Sequence, residues 1–331
     1  MATDFEEPLE ATLRRWGDPL LKVLLADRTL SRPIRWVTDG VSALGEGFGR
    51  WDAMTPARVR KAVAAGLLRP RAAKSLEERQ ARVRAHGEVF TPAWICRRMT
   101  DLADTPWFRE GAADAPETAS PLREGLDWQA YVSLRRLEIT CGEAPYLTAR
   151  YDVDTGEPIP WAQRHGFLDR KLRVLPHTLD RAAWTQWAGR AFAATYGYEY
   201  QGDNLFLARC NLLLTFEEAH RRRWGDDPTP ETLAAVAETL SWNLWQMDGF
   251  TGTPPAEAEP DLQGDLFAPP PEDPPVGPCR LRVEGKTCTL DTVKGDKTMK
   301  FDFIIGNPPY QDEAKGDNDT YAPPRLSPIF G

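Results

Sequence analysis

The sequence predicts an α/β fold, a parallel sheet entered through a helical N-terminal region. Beyond residue 134, short apolar runs of strand character alternate with stretches of helical spacing. Each such run ends in a loop of small or polar residues, the pattern of a sheet whose crossovers are helices. Before residue 85 the spacing is helical instead. In a parallel sheet the ligand lies beyond the carboxyl ends of the strands, and the unusual residues of this chain fall there.

Taken in order, LEATLRRWGDPLLKVLLADRT carries a helical pattern broken near Gly17-Asp18-Pro19. Residues 55–85 read as two helices parted around Gly66 and Pro70. Thr91 is a candidate N-cap, with Pro92 in the first turn of a helix running to about Ala103. Residues 104–127 read as a loop, and Arg135–Thr140 as a strand ending in Cys141-Gly142. Residues 151–164 are turn-rich, and Asp180 can cap a helix through Thr195. Tyr198–Gln201 is a strand candidate, followed by an apolar helix over Leu205–His220. A further helix over Thr229–Ser241 and a strand over Trp242–Met247 follow. The proline-rich acidic run 252–278 predicts a disordered insertion, because it lacks the apolar surface to pack. Residues 280–291 suggest a hairpin turning at Gly285-Lys286, and Phe301–Ile305 is a buried-type strand. The connection 150–195 is long, with charged runs Arg150-Tyr151-Asp152 and Asp169-Arg170-Lys171 expected to be solvated.

No stretch of eighteen apolar residues is present, so no membrane span is expected. The start, MATDFEEPLE, lacks the apolar core of a secretory signal. Cys96, Cys141, Cys210, Cys279 and Cys288 are odd in number and include no CxxC pair. That argues against a metal site and a disulfide framework, and for a reducing cytoplasm. The net charge is −8, yet nine Lys or Arg residues lie between Arg58 and Arg84 against Glu77 and Glu78. That run is either a solvated helical face or a local phosphate-binding patch.

The strand Phe301–Ile305 runs through Gly306 into Asn307-Pro308-Pro309-Tyr310. An amino nitrogen conjugated to an adenine ring is a poor nucleophile, since its lone pair is drawn into the ring. Two acceptors placed on its hydrogens return density to nitrogen. The Asn307 side-chain oxygen and the Pro308 carbonyl suit that role, held by prolines that fix the loop. Tyr310 suits stacking on a base taken out of the duplex. Four such residues alone are also an ordinary proline turn; the strand in front of them gives the pattern its weight.

With these residues the chain resembles the adenine-specific DNA methyltransferases of restriction–modification systems. The likeness is to the gamma-type order found in combined methylase–endonucleases, over about residues 85–311. His86-Gly87-Glu88-Val89-Phe90-Thr91-Pro92 resembles the family segment that closes over the methionine end of the cofactor, implying roles for Thr91 and Pro92. Leu137-Glu138-Ile139-Thr140-Cys141-Gly142-Glu143 resembles the first-strand motif. That implies Glu138 on the methionine amino group, with Cys141 and Gly142 where the backbone approaches the cofactor. Ala144 and Pro145 depart from it, standing where a second glycine and a small residue are usual. Gly197-Tyr198-Glu199 resembles the second-strand motif, implying that Glu199 holds the ribose, with Asp203 as the substitute. Trp242–Asp248 resembles the third, implying Asp248 on the cofactor's adenine. Trp242 and Trp245 are expected in the core.

The resemblance implies a Rossmann-like S-adenosylmethionine-dependent methyltransferase sheet, with S-adenosylmethionine as cofactor and double-stranded DNA with a flipped adenine as substrate. It divides the chain into a helical region 1–84, a cofactor domain 85–311 and an irregular tail 312–331. Twenty-one residues follow Tyr310, whereas the family sheet continues and leads into a target-recognition domain. The expectation is a chain incomplete in its C-terminal half, weak or inactive alone, or completed by a separate specificity or C-terminal polypeptide. No nuclease arrangement is visible before residue 85. Two other functions fit in part: methylation of a protein glutamine amide, which poses the same nucleophile problem, and a non-catalytic fragment that binds DNA or a partner.

Overall fold

The computed structural model describes residues 7–86, 91–109, 121–249, 251–256, 277–283, 285–289 and 300–307. The protein is mixed α/β with a four-stranded parallel sheet. Its strands are β3 (Arg136–Ile139), β4 (Thr195–Glu199), β5 (Leu244–Gln246) and β8 (Phe303–Gly306), in the spatial order β5-β4-β3-β8. The first three step outward in one direction. The chain then returns to place β8 on the other side of β3, so the winding reverses between β3 and β8.

The helices before the sheet form as their sequences dictate. α1 (Leu9–Leu24) is bent at Gly17, whose φ of 70° and ψ of 171° leave the helical region just before Pro19. α2 (Pro56–Ala64) starts on Thr55, whose hydroxyl accepts from Arg58 N–H, with proline at the first position. α3 (Leu76–His86) and α4 (Ala93–Asp104) follow. The N-cap of α4 is Pro92 and carries no side-chain cap bond, so Thr91 is not the cap expected from sequence. α5 (Trp128–Ser133) leads into β3.

Between β3 and β4 run α6 (Phe167–Arg173) and α7 (Arg181–Ala193), the latter capped by Asp180 on Ala183 N–H. α7 ends before the expected Thr195, and β4 starts there rather than at Tyr198. At that junction the buried Nζ of Lys171 donates to Leu134 O (2.6 Å) and Ala194 O (2.9 Å), joining the chain ends that enter β3 and β4. α8 (Gly202–Trp224) stops at Gly225 in the left-handed conformation. α9 (Pro230–Asn243) is capped by Thr229 and takes Trp242, expected in the strand, into its last turn. β6 (Arg280–Val283) and β7 (Lys286–Thr289) pair as the expected hairpin, with Gly285 at φ 78°. β1 (Ala26–Asp27) and β2 (Arg32–Pro33) form a small N-terminal hairpin.

Because side chains alternate along a strand, the sheet has two distinct faces. One carries Leu137, Tyr196, Tyr198 and Trp245 and is covered by Leu281 and Val283 of the hairpin. Ile305 points to the other, helical side, in a core that runs from Leu13 of α1 to Leu212 of α8 and Leu240 of α9.

The expected solvated insertion is interior at its second charged run and at Arg150, while residues 155–158 are exposed. Asp169, Arg170 and Lys171 are all buried. Asp104, fully buried, accepts from Tyr131 Oη (2.7 Å), Arg136 (2.7 Å) and Arg170 (3.2 Å), tying α4, α5, β3 and α6 together. Likewise Pro254 and Pro255 are buried, so the packed chain extends past residue 252; residues 257–276 lie outside the described residues. The five cysteines are free. Among the described residues no helix is long and apolar enough to cross a membrane.

Candidate active site

The sheet register sets the sequence-predicted residues at neighbouring levels of the strand ends, with Glu199 opposite Gln246. Glu138 lies opposite Gly197 and Ile305, and Ile139 opposite Gly306. One step on, Thr140 faces Asn307, and its hydroxyl lies 3.4 Å from the Asn307 carbonyl, to which it donates. Gly306 makes this approach feasible: a Cβ there would sit 2.4 Å from the Ile139 carbonyl.

The loop leaving β3 is bent by alternating backbone conformations. Thr140, Gly142 and Ala144 have φ of 46°, 54° and 64°, while Cys141 and Glu143 between them do not share the left-handed region. Such alternation gathers N–H groups into a concavity suited to an anion. It is costly for a β-branched threonine and for alanine. The loop is held by Glu199 from β4, whose Oε2 accepts from Gly142 N–H (2.8 Å) and Oε1 from Gln201 N–H (3.0 Å). Cys141 N–H donates to Tyr198 O at 2.8 Å. Ala144, the departure from the family pattern, therefore occupies a position whose φ favours glycine.

Glu138 sits beneath this loop with its carboxyl fully buried, accepting from Leu147 N–H at 3.1 Å. Burial pushes its carboxyl well above the usual range, and the charge of Glu199 adds to the effect. Cys141 is also buried, and burial first, then Glu138 and Glu199, drive its thiol upward, so it is a neutral thiol. Gly197 gives it room, since a Cβ there would lie 3.3 Å from Cys141 Sγ. Thr91, buried, lies beside Tyr146, and its carbonyl accepts from Cys96 Sγ. With Pro92 it starts α4 at the edge of the same cluster. Asp248 follows β5 in a turn, where its Oδ1 accepts from Thr251 N–H (3.4 Å) and its carbonyl from Gly252 N–H (2.9 Å). Its neighbour Gly249 approaches the Tyr198 hydroxyl. Burial raises the Tyr198 phenol, with the carboxylates of Glu199 and Asp248 adding, so Asp248 lies in the same neighbourhood as Glu199. Pro308, Pro309 and Tyr310 lie outside the described residues, as does Phe90.

Two connections escaped the sequence reading. Glu143 accepts from Arg71 N–H (2.6 Å) and Tyr151 Oη (2.6 Å), and Asn211 Nδ2 donates to the Glu143 carbonyl (3.1 Å). Arg82 of α3 donates to Asp203 (2.8 Å) and also reaches Gln201 and Asn204. Burial works against the Asp203 carboxylate, but the charges of Arg82 and Lys74 outweigh it and hold the group below the usual range. Asp203 is thus engaged by Arg82. The basic run 58–84 is largely an internal clamp. Arg79 donates to Ala72 O, Lys74 O and Asp154 O, and Arg69 pairs with Glu78. Neither the solvated face nor a free phosphate patch describes Arg69, Arg71, Lys74, Arg79 and Arg82. Alternating charge in the sequence could have signalled partners, but not ones that lie more than a hundred residues away.

Comparison with known proteins gives one match. Residues 195–325, from β4 through Asn307 and beyond, match the family described as Eco57I restriction-modification methylase. The match covers less than half of the chain and supports a restriction–modification methylase family, hence a methyltransferase enzyme. No curated protein and no solved structure was found to match.

Proposed function

We propose that the chain is a site-specific DNA methyltransferase that moves a methyl group from S-adenosylmethionine to N6 of adenine. The observation that carries this reading is the shared rung of Glu199, Thr140 and Asn307 at the point where the winding of the sheet reverses. The match to a restriction–modification methylase spans two of these three residues.

The donor chemistry of the site fits the cofactor. Its amino group, ribose hydroxyls and adenine amino group are all hydrogen-bond donors, and Glu138, Glu199 and Asp248 are acceptors at successive strand ends. Glu199 is anchored by the N–H groups of Gly142 and Gln201, and its carboxylate suits the ribose hydroxyls as an acceptor. Glu138 suits the amino end, with Thr91 and Pro92 closing that side. Gly142 and Cys141 let the backbone come near. The bound cofactor supplies a sulfonium methyl group that needs no acid to activate it.

The chain's own work is positioning. The Asn307 side-chain oxygen accepts one hydrogen of the target amino group and the Pro308 carbonyl the other, restoring the nitrogen lone pair. Pro309 holds the turn and Tyr310 stacks on the flipped base. The test is transfer of labelled methyl from S-adenosylmethionine to duplex DNA, followed by nucleoside analysis, with cofactor binding measured by calorimetry. Label in N6-methyladenine, lost in Asn307→Ala while cofactor binding persists, is expected. Label in cytosine or in a glutamine-containing protein acceptor, or a chain that binds no cofactor, overturns the proposal.

A further inference from the structure

The turn that leads from Glu199 at the end of β4 into α8 is seated on residues that precede the sheet in the chain. Gly202 N–H donates to Trp36 O at 2.8 Å. The approach leaves no room for a side chain, since a Cβ on Gly202 would stand 1.9 Å from Arg35 O and 2.8 Å from Met54 Sδ. Gln246 of β5 joins the same two parts. Its Oε1 accepts from Arg35 N–H (2.9 Å), and its Nε2 donates to Arg35 O (2.9 Å) and Tyr200 O (2.9 Å).

One guanidinium closes this seat from α3. Arg82 Nη1 donates to Asp203 Oδ2 (2.8 Å) and Nη2 to Asp203 Oδ1 (3.3 Å), a fork on one carboxylate. Nη2 also donates to Gln201 Oε1 and Asn204 Oδ1, and Nη1 to the Thr38 hydroxyl. The contact is withdrawn from solvent, with the Arg82 side chain 11% exposed and that of Asp203 5%. A rigid fork of donors can span these acceptors together, whereas the ammonium of a lysine is a single point of charge.

Gln201 carries the effect to the strand end. Its side chain is held by Arg82, and its backbone N–H donates to Glu199 Oε1 at 3.0 Å. A carboxylate aimed by an N–H is displaced when that N–H is displaced, and a binding group works only when held to within about 0.5 Å.

We propose that Arg82 is a positioning residue for the cofactor's ribose. It fixes the turn after β4 so that Glu199 meets the ribose hydroxyls, and it makes the helical region before the sheet part of the cofactor site. The proposal rests on the role given to Glu199 above.

The test reads ribose recognition apart from affinity in general. Calorimetry on the full chain compares S-adenosylhomocysteine, the product form of the cofactor, with its 2′-deoxy analogue, which lacks one ribose hydroxyl. The wild type is expected to favour the first by about tenfold. Arg82→Ala should bind S-adenosylhomocysteine about tenfold more weakly and the analogue within about threefold of the wild type, so the preference falls to about threefold or less. Arg82→Lys should fall between the two. Arg69→Ala breaks a different ion pair of α3, that with Glu78, and should keep the preference. Amide exchange should quicken over Gln201–Asn204 in Arg82→Ala and stay unchanged along β3. Thermal melts check the fold, and Arg82→Lys carries the same comparison if Arg82→Ala melts early. An unchanged preference in the Arg82 variants, or equal weakening of both ligands, overturns the proposal and leaves the role of Glu199 standing. A wild type that binds both ligands equally, or neither, removes the role of Glu199 and the proposal with it.

Discussion

Replacing Glu199 by glutamine changes one atom of the site and probes what holds the loop after β3. The carboxylate accepts from two backbone donors, Gly142 N–H at 2.8 Å and Gln201 N–H at 3.0 Å, in a buried setting. Glutamine keeps one acceptor and turns an NH2 group toward the other N–H. One charge-assisted bond is lost and a buried donor is left facing a donor. A hydrogen bond to a charged group contributes about 1.5–3 kcal/mol, so the expected loss is about 2 kcal/mol. That corresponds to about a thirtyfold rise in local opening. Because Thr140 and Ala144 are held against their backbone preferences, the opening should be confined to that loop. Amide hydrogen exchange read peptide by peptide is the assay, with Glu199→Asp as a companion that is too short to reach both donors. Unchanged exchange across residues 140–147, or a loss spread equally into α1, would show that Glu199 does not latch the loop.

Three further outcomes follow from the same geometry. Gly306→Ala places a methyl group 2.4 Å from both Ile139 O and Ile139 Cγ1. Overpacking of this kind costs about 1–3 kcal/mol, read as a lower urea midpoint, and an unchanged midpoint would refute the close β3–β8 contact. Asp104→Ala strands the Arg136 guanidinium in the interior and leaves Arg170 only Asp101 and Thr100 as partners. A loss of about 3–5 kcal/mol is expected in equilibrium unfolding, and a change below about 1 kcal/mol would contradict the buried network. Burial raises the Glu138 carboxyl, and a cationic ligand favours the ionised form. Affinity for S-adenosylmethionine should therefore climb with pH through the raised value and then level off, while Glu138→Gln binds more weakly and without that rise. Parallel calorimetric pH profiles for the two proteins would remove Glu138 from the site.

The sequence made β3 and β8 legible because both are short apolar runs bounded by breakers, and their ends fell within two residues of the observed ones. It also located the bend at Gly17 and the caps at Asp180 and Thr229. The β4 boundary was lost because Thr195 reads as the end of a helix, while the junction there is tied by the side-chain nitrogen of Lys171, which lies on a different helix. Charge misled for a related reason. Asp169, Arg170 and Lys171 look solvated in one dimension, yet Lys171 finds two carbonyls and Arg170 finds Asp104 in three. The basic run from Arg58 to Arg84 looked outward-facing until Arg82 met Asp203. The strand-end residues were recoverable because side-chain parity in a strand is local, whereas the pairing that joins them is not.

The hydroxyl of Thr140 and the carbonyl of Asn307 are separated by 167 residues of chain. Closing so long a loop is entropically slow, and contacts of high sequence separation form late. β3, β4 and β5 can assemble with their helices while the flank of β3 waits for β8. During synthesis the strands that carry Glu138 and Glu199 and precede Asp248 are made before Asn307. On the function proposed above, the order of the chain separates recognition from chemistry in time: Glu138, Glu199 and Asp248 come first, and the residue assigned to the target amino group last.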